Sequence, residues 1–365
     1  MGSTLKDVAA HAGVSIKTVS NVVNDYHYVS AEMRARVRVS IEALGYRPNL
    51  PARHLRKVHS SVIALAIPDL TNTYFSDIGE TVSAAAAAQS YTMLLEHTHG
   101  ARASEALVAR GLRPHLIDGV ILSPLALEMA DLEPDRAPLP LVLIGEHLME
   151  APKDHVAIDN VAAARLATNH LVQMGRRRIA VIGLQELSGA EAMRLRLRGY
   201  REALADAGFP ADPTLIAPVH VLHRSDGAEA MQRLLALDEP PDAVFCFNDL
   251  VAFGAIRALH EAGYRVPDDV AIVGFDDIDE ARFSIPTLTT ISPDKEEIGR
   301  RAVAMLLGRI QGTRTGPPEH VTPSFTLIIR ESTAGSIAGH AAPRSGRAPP
   351  DGAWVAKGGI PQTTL

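Results

Sequence analysis

The first residues in the chain able to do chemistry lie in TLKDVAAHAGVSIKTVSNVVND, residues 4–25, where Ser15, Ile16, Lys17, Thr18, Ser20 and Asn21 fall within seven positions. They form no catalytic set. They are a mixture of hydrogen-bond donors, acceptors and one apolar tip. Taken at helical spacing, Ile16, Lys17, Ser20 and Asn21 point outward together. Such a face suits base edges in a major groove: Lys17 to guanine O6/N7, Asn21 to adenine N6/N7, Ile16 to a thymine methyl. Ser15, Thr18 and the helix N-terminus suit phosphate oxygens. A solvated surface lysine is the alternative for Lys17.

Holding that face in place needs two short helices and a tight turn. Thr4 is a suitable N-cap with Asp7 three residues on, a capping-box spacing. Leu5, Val8, Ala9 and Ala12 share one helical face. Gly13 can take the positive φ at which the first helix must stop. Ser15 can cap a second helix running Ile16–Asn24, which Val19, Val22 and Val23 turn inward. An ordinary helical hairpin shares these features. Charge separates the two readings further. Residues 1–60 hold nine Lys/Arg against four Asp/Glu, +5, which leaves 27 against 38, or −11, for the rest of a chain whose net charge is −6. A basic segment on an acidic body is the asymmetry expected of a small domain that meets phosphates.

The 365 residues are enough for two or three domains, and 46% hydrophobic with 21% charged residues is ordinary for a globular protein. Residues 4–47 read as three or four short helices, and the proline-bearing, basic stretch 48–60 reads as a connector. From Ser61 the texture changes. Val62–Pro68, Tyr91–Leu95, Gly119–Leu122, Leu141–Ile144, Ile179–Ile182, Ala243–Phe247 and Val270–Gly274 are short apolar runs that read as buried strands. Between them lie helical patterns at Ile78–Gln89, Ala162–Met174, Arg198–Ala207, Gly227–Leu237 and Leu250–Ala262. Strands alternating with helices predict a parallel α/β sheet with right-handed crossovers. There are too many strands for one sheet, so two similar lobes are expected, over residues 61–333. Residues 334–365, rich in Gly, Pro, Ala and Ser, read as a disordered tail.

Other chemistry is poorly represented. There is no GxxxxGK[ST] phosphate loop and no strand-linked GxGxxG. His97 and His99 are close, but a metal site needs more ligands. No Ser-His-Asp or Cys-His arrangement follows from spacing, so no enzyme activity and no cofactor are expected. The single cysteine, Cys246, fits a reducing cytoplasm. No apolar run reaches the roughly 18 residues of a membrane span, and the N-terminus lacks the apolar core of a secretory signal.

The ordered series of motifs resembles the lactose/galactose-repressor family of bacterial transcription regulators. It runs from TLKDVAAHAGVSIKTVSNVVND through VSAEMRARVRVSIEALGYRPN, the LPARHLR connector, VIALAIPDLTNTYFSDI, DGVILSP, VAIDN, RLRLRGYREAL, FCFNDLVAFGAIRALHEAGYRVPDDVAIVGFDDI and IPTLTTI to Arg330-Glu331-Ser332. It covers residues 4–332. The resemblance implies an N-terminal helix-turn-helix domain (1–48) followed by a two-lobed fold like that of periplasmic binding proteins. It also implies a homodimer reading a palindromic operator in double-stranded DNA, and a small-molecule effector, a sugar, bound between the lobes. Thr4, Ser20 and Asn24 join the DNA contacts. Asn49–Arg56 would be a hinge helix in the minor groove, with Asn49, Ala52 and Arg53 at the DNA and Leu55 wedged into the central base step. An apolar wedge of that kind unstacks the step and bends the duplex.

For the effector, the resemblance nominates Asp69, Tyr74 and Phe75 on one lobe, and Arg196, Leu222, Asn248 and Asp276 on the other. Aromatic faces with Asp, Asn and Arg suit a polyhydroxylated ligand. Asp276 and Asp249 could equally cap local turns. Two departures border the cleft. Asn72-Thr73-Tyr74-Phe75 stands where many relatives have Asn-Pro-Phe-Phe, and Glu146-His147 where many have Asp-Arg. Leu222 stands where some purine-sensing relatives place an aromatic, which disfavours a nucleobase. A transport or chemoreceptor sugar-binding protein would share the two-lobed fold but needs a secretory signal. A sugar-modifying enzyme needs a nucleotide motif or an acid/base pair.

Overall fold

The computed structural model describes residues 3–23, 26, 28–46, 60–111, 116–132, 139–185, 191–210 and 212–334. The hinge residues Asn49, Ala52, Arg53 and Leu55, together with Asn24 and the tail 335–365, lie outside them.

Three helices open the chain: α1 (Leu5–Ala12), α2 (Ile16–Val23) and α3 (Ala31–Ala43). The Thr4/Asp7 capping box forms as the spacing predicts, and Gly13 ends α1 at φ 64°. Val8, Ala9, Ala12, Val19, Val22 and Val37 make a small core shared by all three helices. Ala9 and Ala12 keep α1 close to its neighbours, because a larger side chain would hold the backbones apart.

Two six-stranded sheets follow. The first has the order β11-β5-β4-β3-β1-β2 and the second β12-β10-β9-β8-β6-β7. The strands are β1 (Val62–Ile67), β2 (Thr92–His97), β3 (Gly119–Leu122), β4 (Leu141–Ile144), β5 (Asp154–Val156) and β11 (His320–Val321) in the first lobe. The second lobe holds β6 (Ile179–Leu184), β7 (Ile216–Pro218), β8 (Ala243–Cys246), β9 (Ala271–Phe275), β10 (Thr289–Pro293) and β12 (Phe325–Ile328). Every pairing is parallel except β10 with β12. The central strands are buried on both faces, which is why they read as unbroken apolar runs.

The helices between them are α4 (Thr73–Ala88), α5 (Arg102–Ala109), α6 (Asn160–Gln173), α7 (Glu191–Asp206), α8 (Arg224–Leu235), α9 (Asp249–Glu261), α10 (Lys295–Ile310) and α11 (Glu331–Ala334). The chain crosses between lobes three times, after β5, after β10 and between β11 and β12. Helix α10, which the sequence pattern did not single out, returns to the first lobe and packs on α4, β3 and β4. Gly119 makes room for it: a Cβ there would lie 2.8 Å from Leu306 Cδ1. No described helix is long and apolar enough to cross a membrane.

Candidate functional sites at the N-terminal helices and between the lobes

Helix α2 presents the side chains picked out from the sequence. Ile16 is 48% exposed despite being apolar. Ser15 and Lys17 are exposed, while Thr18, Ser20 and Asn21 are partly so. Ser15 Oγ accepts from Thr18 N at 3.0 Å and lies 2.9 Å from Thr18 Oγ1, so the α2 cap forms as predicted. Thr4 is already engaged: its hydroxyl donates to Asp7 Oδ2 at 2.7 Å while the same oxygen accepts from Asp7 N at 3.3 Å.

The second site is a cavity of about 360 Å³ between the lobes. All seven effector candidates line it: Asp69, Tyr74, Phe75, Arg196, Leu222, Asn248 and Asp276. Several are placed by the way helices begin. Tyr74 and Phe75 sit in the first turn of α4, capped by Asn72, whose side chain accepts from Tyr74 N at 3.1 Å. Asn248 caps α9, accepting from Val251 N at 2.8 Å and donating to Leu222 O at 3.0 Å. Its carboxamide oxygen is thus taken up by the helix cap.

Among the described residues that line the cavity, Arg196 is the one guanidinium. It is only 8% exposed. Its Nε donates to Asn160 Oδ1 at 2.7 Å, a terminal nitrogen donates to Phe247 O, and its plane lies 3.4 Å over the Phe275 ring. Asn160 in turn donates to Glu146. Burial pulls the Arg196 guanidinium below its usual range, countered by Asp276 and Glu146. Burial raises the Glu146 carboxyl, with Arg196 and Asn160 pulling the other way. Burial likewise raises the Tyr74 phenol.

Asp276 sits at the C-terminal end of β9 with φ 109°, and its neighbour Asp277 has φ 48°. The turn is held from below by Asp249, which accepts from Ile278 N at 3.0 Å and from Thr290 Oγ1 at 2.6 Å. Burial raises Asp249 well above the carboxylate range. Asp276 is 6% exposed, and burial pushes it up to about 7 against the opposing pull of Arg196 and Lys295.

The mouth carries a contact that sequence reasoning missed. His223 Nε2 lies 3.0 Å from Asp69 Oδ2, joining the two lobes. Burial works to raise Asp69, but the two hydrogen bonds from Thr71 and the nearby His223 outweigh it and hold the carboxyl below its ordinary range. Lys295 bridges the lobes too, reaching Asp77 Oδ2 at 2.5 Å and Asp277 O at 2.9 Å. Asn160, His223 and Lys295 had no signal of their own in the sequence beyond the VAIDN string for Asn160. Among the described residues no group of His, Cys, Asp or Glu could hold a metal ion, and the stacked rings of His97 and His99, 3.7 Å apart, have no third ligand.

A three-helix unit with an outward, capped second helix, joined to a two-lobed α/β body whose cavity carries charged and aromatic side chains, defines a ligand-responsive DNA-binding regulator. Residues 4–49 match the bacterial regulatory proteins of the lacI family, and residues 168–333 match the periplasmic binding protein-like domain. The chain is 36% identical over 335 residues to the HTH-type transcriptional repressor CytR of Escherichia coli K12, covering 91% of this chain and 96% of that one. Among solved structures it is similar to the lac repressor dimer bound to operator and the anti-inducer ONPF (TM-score 0.79, 28% identity, 91% of this chain and 99% of that one). It is also similar to the transcriptional regulator CelR in complex with cellobiose (TM-score 0.67, 33% identity, 90% and 99%). The chain belongs to the lacI family of bacterial regulatory proteins: it is a DNA-binding transcription regulator with an effector-binding domain, and not an enzyme.

Proposed function

We propose that this regulator represses a carbohydrate-utilisation operon as a homodimer on a palindromic operator, and that a sugar bound between its lobes switches its DNA affinity. The observation that carries the sugar reading is the cavity itself. Arg196 lies over the Phe275 ring and lines the cavity together with Asp276, with Tyr74 and Phe75 on the facing lobe. Paired donor and acceptor groups above aromatic faces suit vicinal hydroxyls and the C–H faces of a pyranose. The likeness to the cellobiose complex supports the same reading. Closure of the lobes around the ligand would shift the pairing of hinge helices and so the affinity for DNA.

On the DNA side, Lys17 and Asn21 would read bases and Leu55 would wedge the central step. The test is a thermal-shift screen of neutral mono- and disaccharides, followed by operator binding with and without each hit. A sugar that stabilises the wild type, fails to stabilise Arg196→Ala and changes operator affinity bears the reading out. A screen in which only non-sugar ligands bind defeats it. Lys17→Ala and Leu55→Ala should each lower specific operator affinity about tenfold or more. If both bind the operator like wild type, the DNA-side roles are wrong.

A further inference from the structure

The charges around the cavity set what the ligand can be. Asp69, Glu146 and Asp276 line it against Arg196, the one Lys or Arg among its described lining residues; of the histidines there, His223 is already engaged with Asp69. The cations just beyond are already matched: Lys295 pairs with Asp77, and Arg330 with Asp277. Asp249, behind Asp276, adds no positive charge. Arg196 couples to both Asp276 and Glu146, so an anion within its reach would also meet those two carboxylates.

A second, independent observation points the same way. Helix N-termini are the usual alternative seat for an anion, and three of the helices that begin at this cleft have a side chain on that seat. Asn72 caps α4, Asn248 caps α9, and Asp159 caps α6 by accepting from Ala162 N at 2.9 Å. Another, α8, carries Asp226 in its first turn, which accepts from Val221 N at 3.0 Å. Asp276, by contrast, has no hydrogen-bond donor to its carboxylate among the described residues, although it is almost fully buried.

We infer that the cleft selects against anionic ligands: the effector carries no phosphate or carboxylate, and it is neutral or bears an amine whose donors go to Asp276. This rests on the reading of the cavity as the effector site. A free sugar or its amino derivative fits, while the corresponding sugar phosphate or uronate is rejected. Nucleosides are distinguished from nucleotides by the same rule.

Two calorimetric titrations of the full chain at pH 8, where Asp276 is ionised, and at fixed ionic strength test this. The first uses inorganic phosphate. Wild type should show no saturable binding, whereas Glu146→Gln/Asp276→Asn, or Asp276→Asn alone if the double variant does not fold, should bind phosphate, and Arg196→Ala in that background should abolish it. Saturable, Arg196-dependent binding by wild type overturns the inference, as does a folded neutralised variant that binds no phosphate. The second uses matched sets: glucose, glucosamine, glucuronate and glucose 6-phosphate; ribose and ribose 5-phosphate; cytidine and cytidine monophosphate. Within any set that binds, the anionic member should be at least tenfold weaker, and tighter binding by an anion overturns the inference. If a nucleoside binds and no sugar does, the sugar reading fails while this inference stands.

Discussion

Two buried titratable groups make opposite demands at the scale of the residue. His155 on β5 is fully buried, with Nε2 2.5 Å from Gly145 O and Nδ1 without a hydrogen-bond partner among the described residues. Burial pulls it down to about 4. The folded state therefore binds fewer protons than the unfolded chain between about pH 6.5 and 4, and stability falls as pH drops through that window. The loss from this residue is about 3 kcal/mol at most. Thermal melts from pH 7.5 to 4.5 should fall less steeply for His155→Gln, and parallel curves would refute the assignment. Asp276 has the reverse sign. Its carboxyl is raised to about 7, so its contribution to stability is lost as pH rises from about 4 through 7. At pH 8 the Asp276→Asn variant should melt higher than wild type yet bind effector at least tenfold more weakly, a trade of stability for function. A lower melting temperature at pH 8 would show that the charge is fully compensated. Arg196 and Asp276 were legible because RLRLRGY and GFDD carry them intact. His223 was not, because its meaning comes from Asp69, 154 residues away.

Among the elements, legibility followed the continuity of the apolar pattern. Gly119–Leu122 and Leu141–Ile144 were read with their final bounds because they are short, unbroken and buried. Helix α4 begins at Thr73 and not Ile78, since its first turn faces the cavity with Tyr74 and Phe75 and breaks the apolar stripe. Helix α7 begins at Glu191 and not Arg198, since RLRLR alternates with the period of a strand. It is helical because it packs tightly on α6, with Gly199 at the contact. A Cβ on Gly199 would sit 2.3 Å from Val161 O and 2.8 Å from Ala164 Cβ. Gly199→Ala should cost about 1–3 kcal/mol, and should also weaken effector binding, because Arg196 lies one turn away and is tied to Asn160 on α6. Gly312→Ala, at φ 70° with open space around it, is the control. It should cost about 1 kcal/mol and leave effector affinity unchanged. Equal effects on binding would mean that the α6–α7 spacing does not set the Arg196 position.

For the whole molecule, the charge asymmetry becomes a measurable slope. The +5 segment and the −11 remainder are read from the sequence alone. Operator affinity should fall steeply and linearly on a log–log salt plot, with a slope reflecting several released counterions. Effector affinity, governed by a buried cavity, should barely move over the same range. A flat operator slope would argue against phosphate contacts by the basic segment. The three crossings between lobes have a further consequence, for synthesis on the ribosome. The N-terminal core closes on contacts within residues 5–46 and is complete early. The first lobe waits for α10 and for β11 at His320–Val321, and the second for β12 at Phe325–Ile328. Neither lobe can finish folding until the chain through Val321 for the first, and through Ile328 for the second, has left the exit tunnel. A nascent chain of this regulator thus carries a finished DNA-reading head on an unfinished sensor, and a message truncated before residue 320 yields the first without the second.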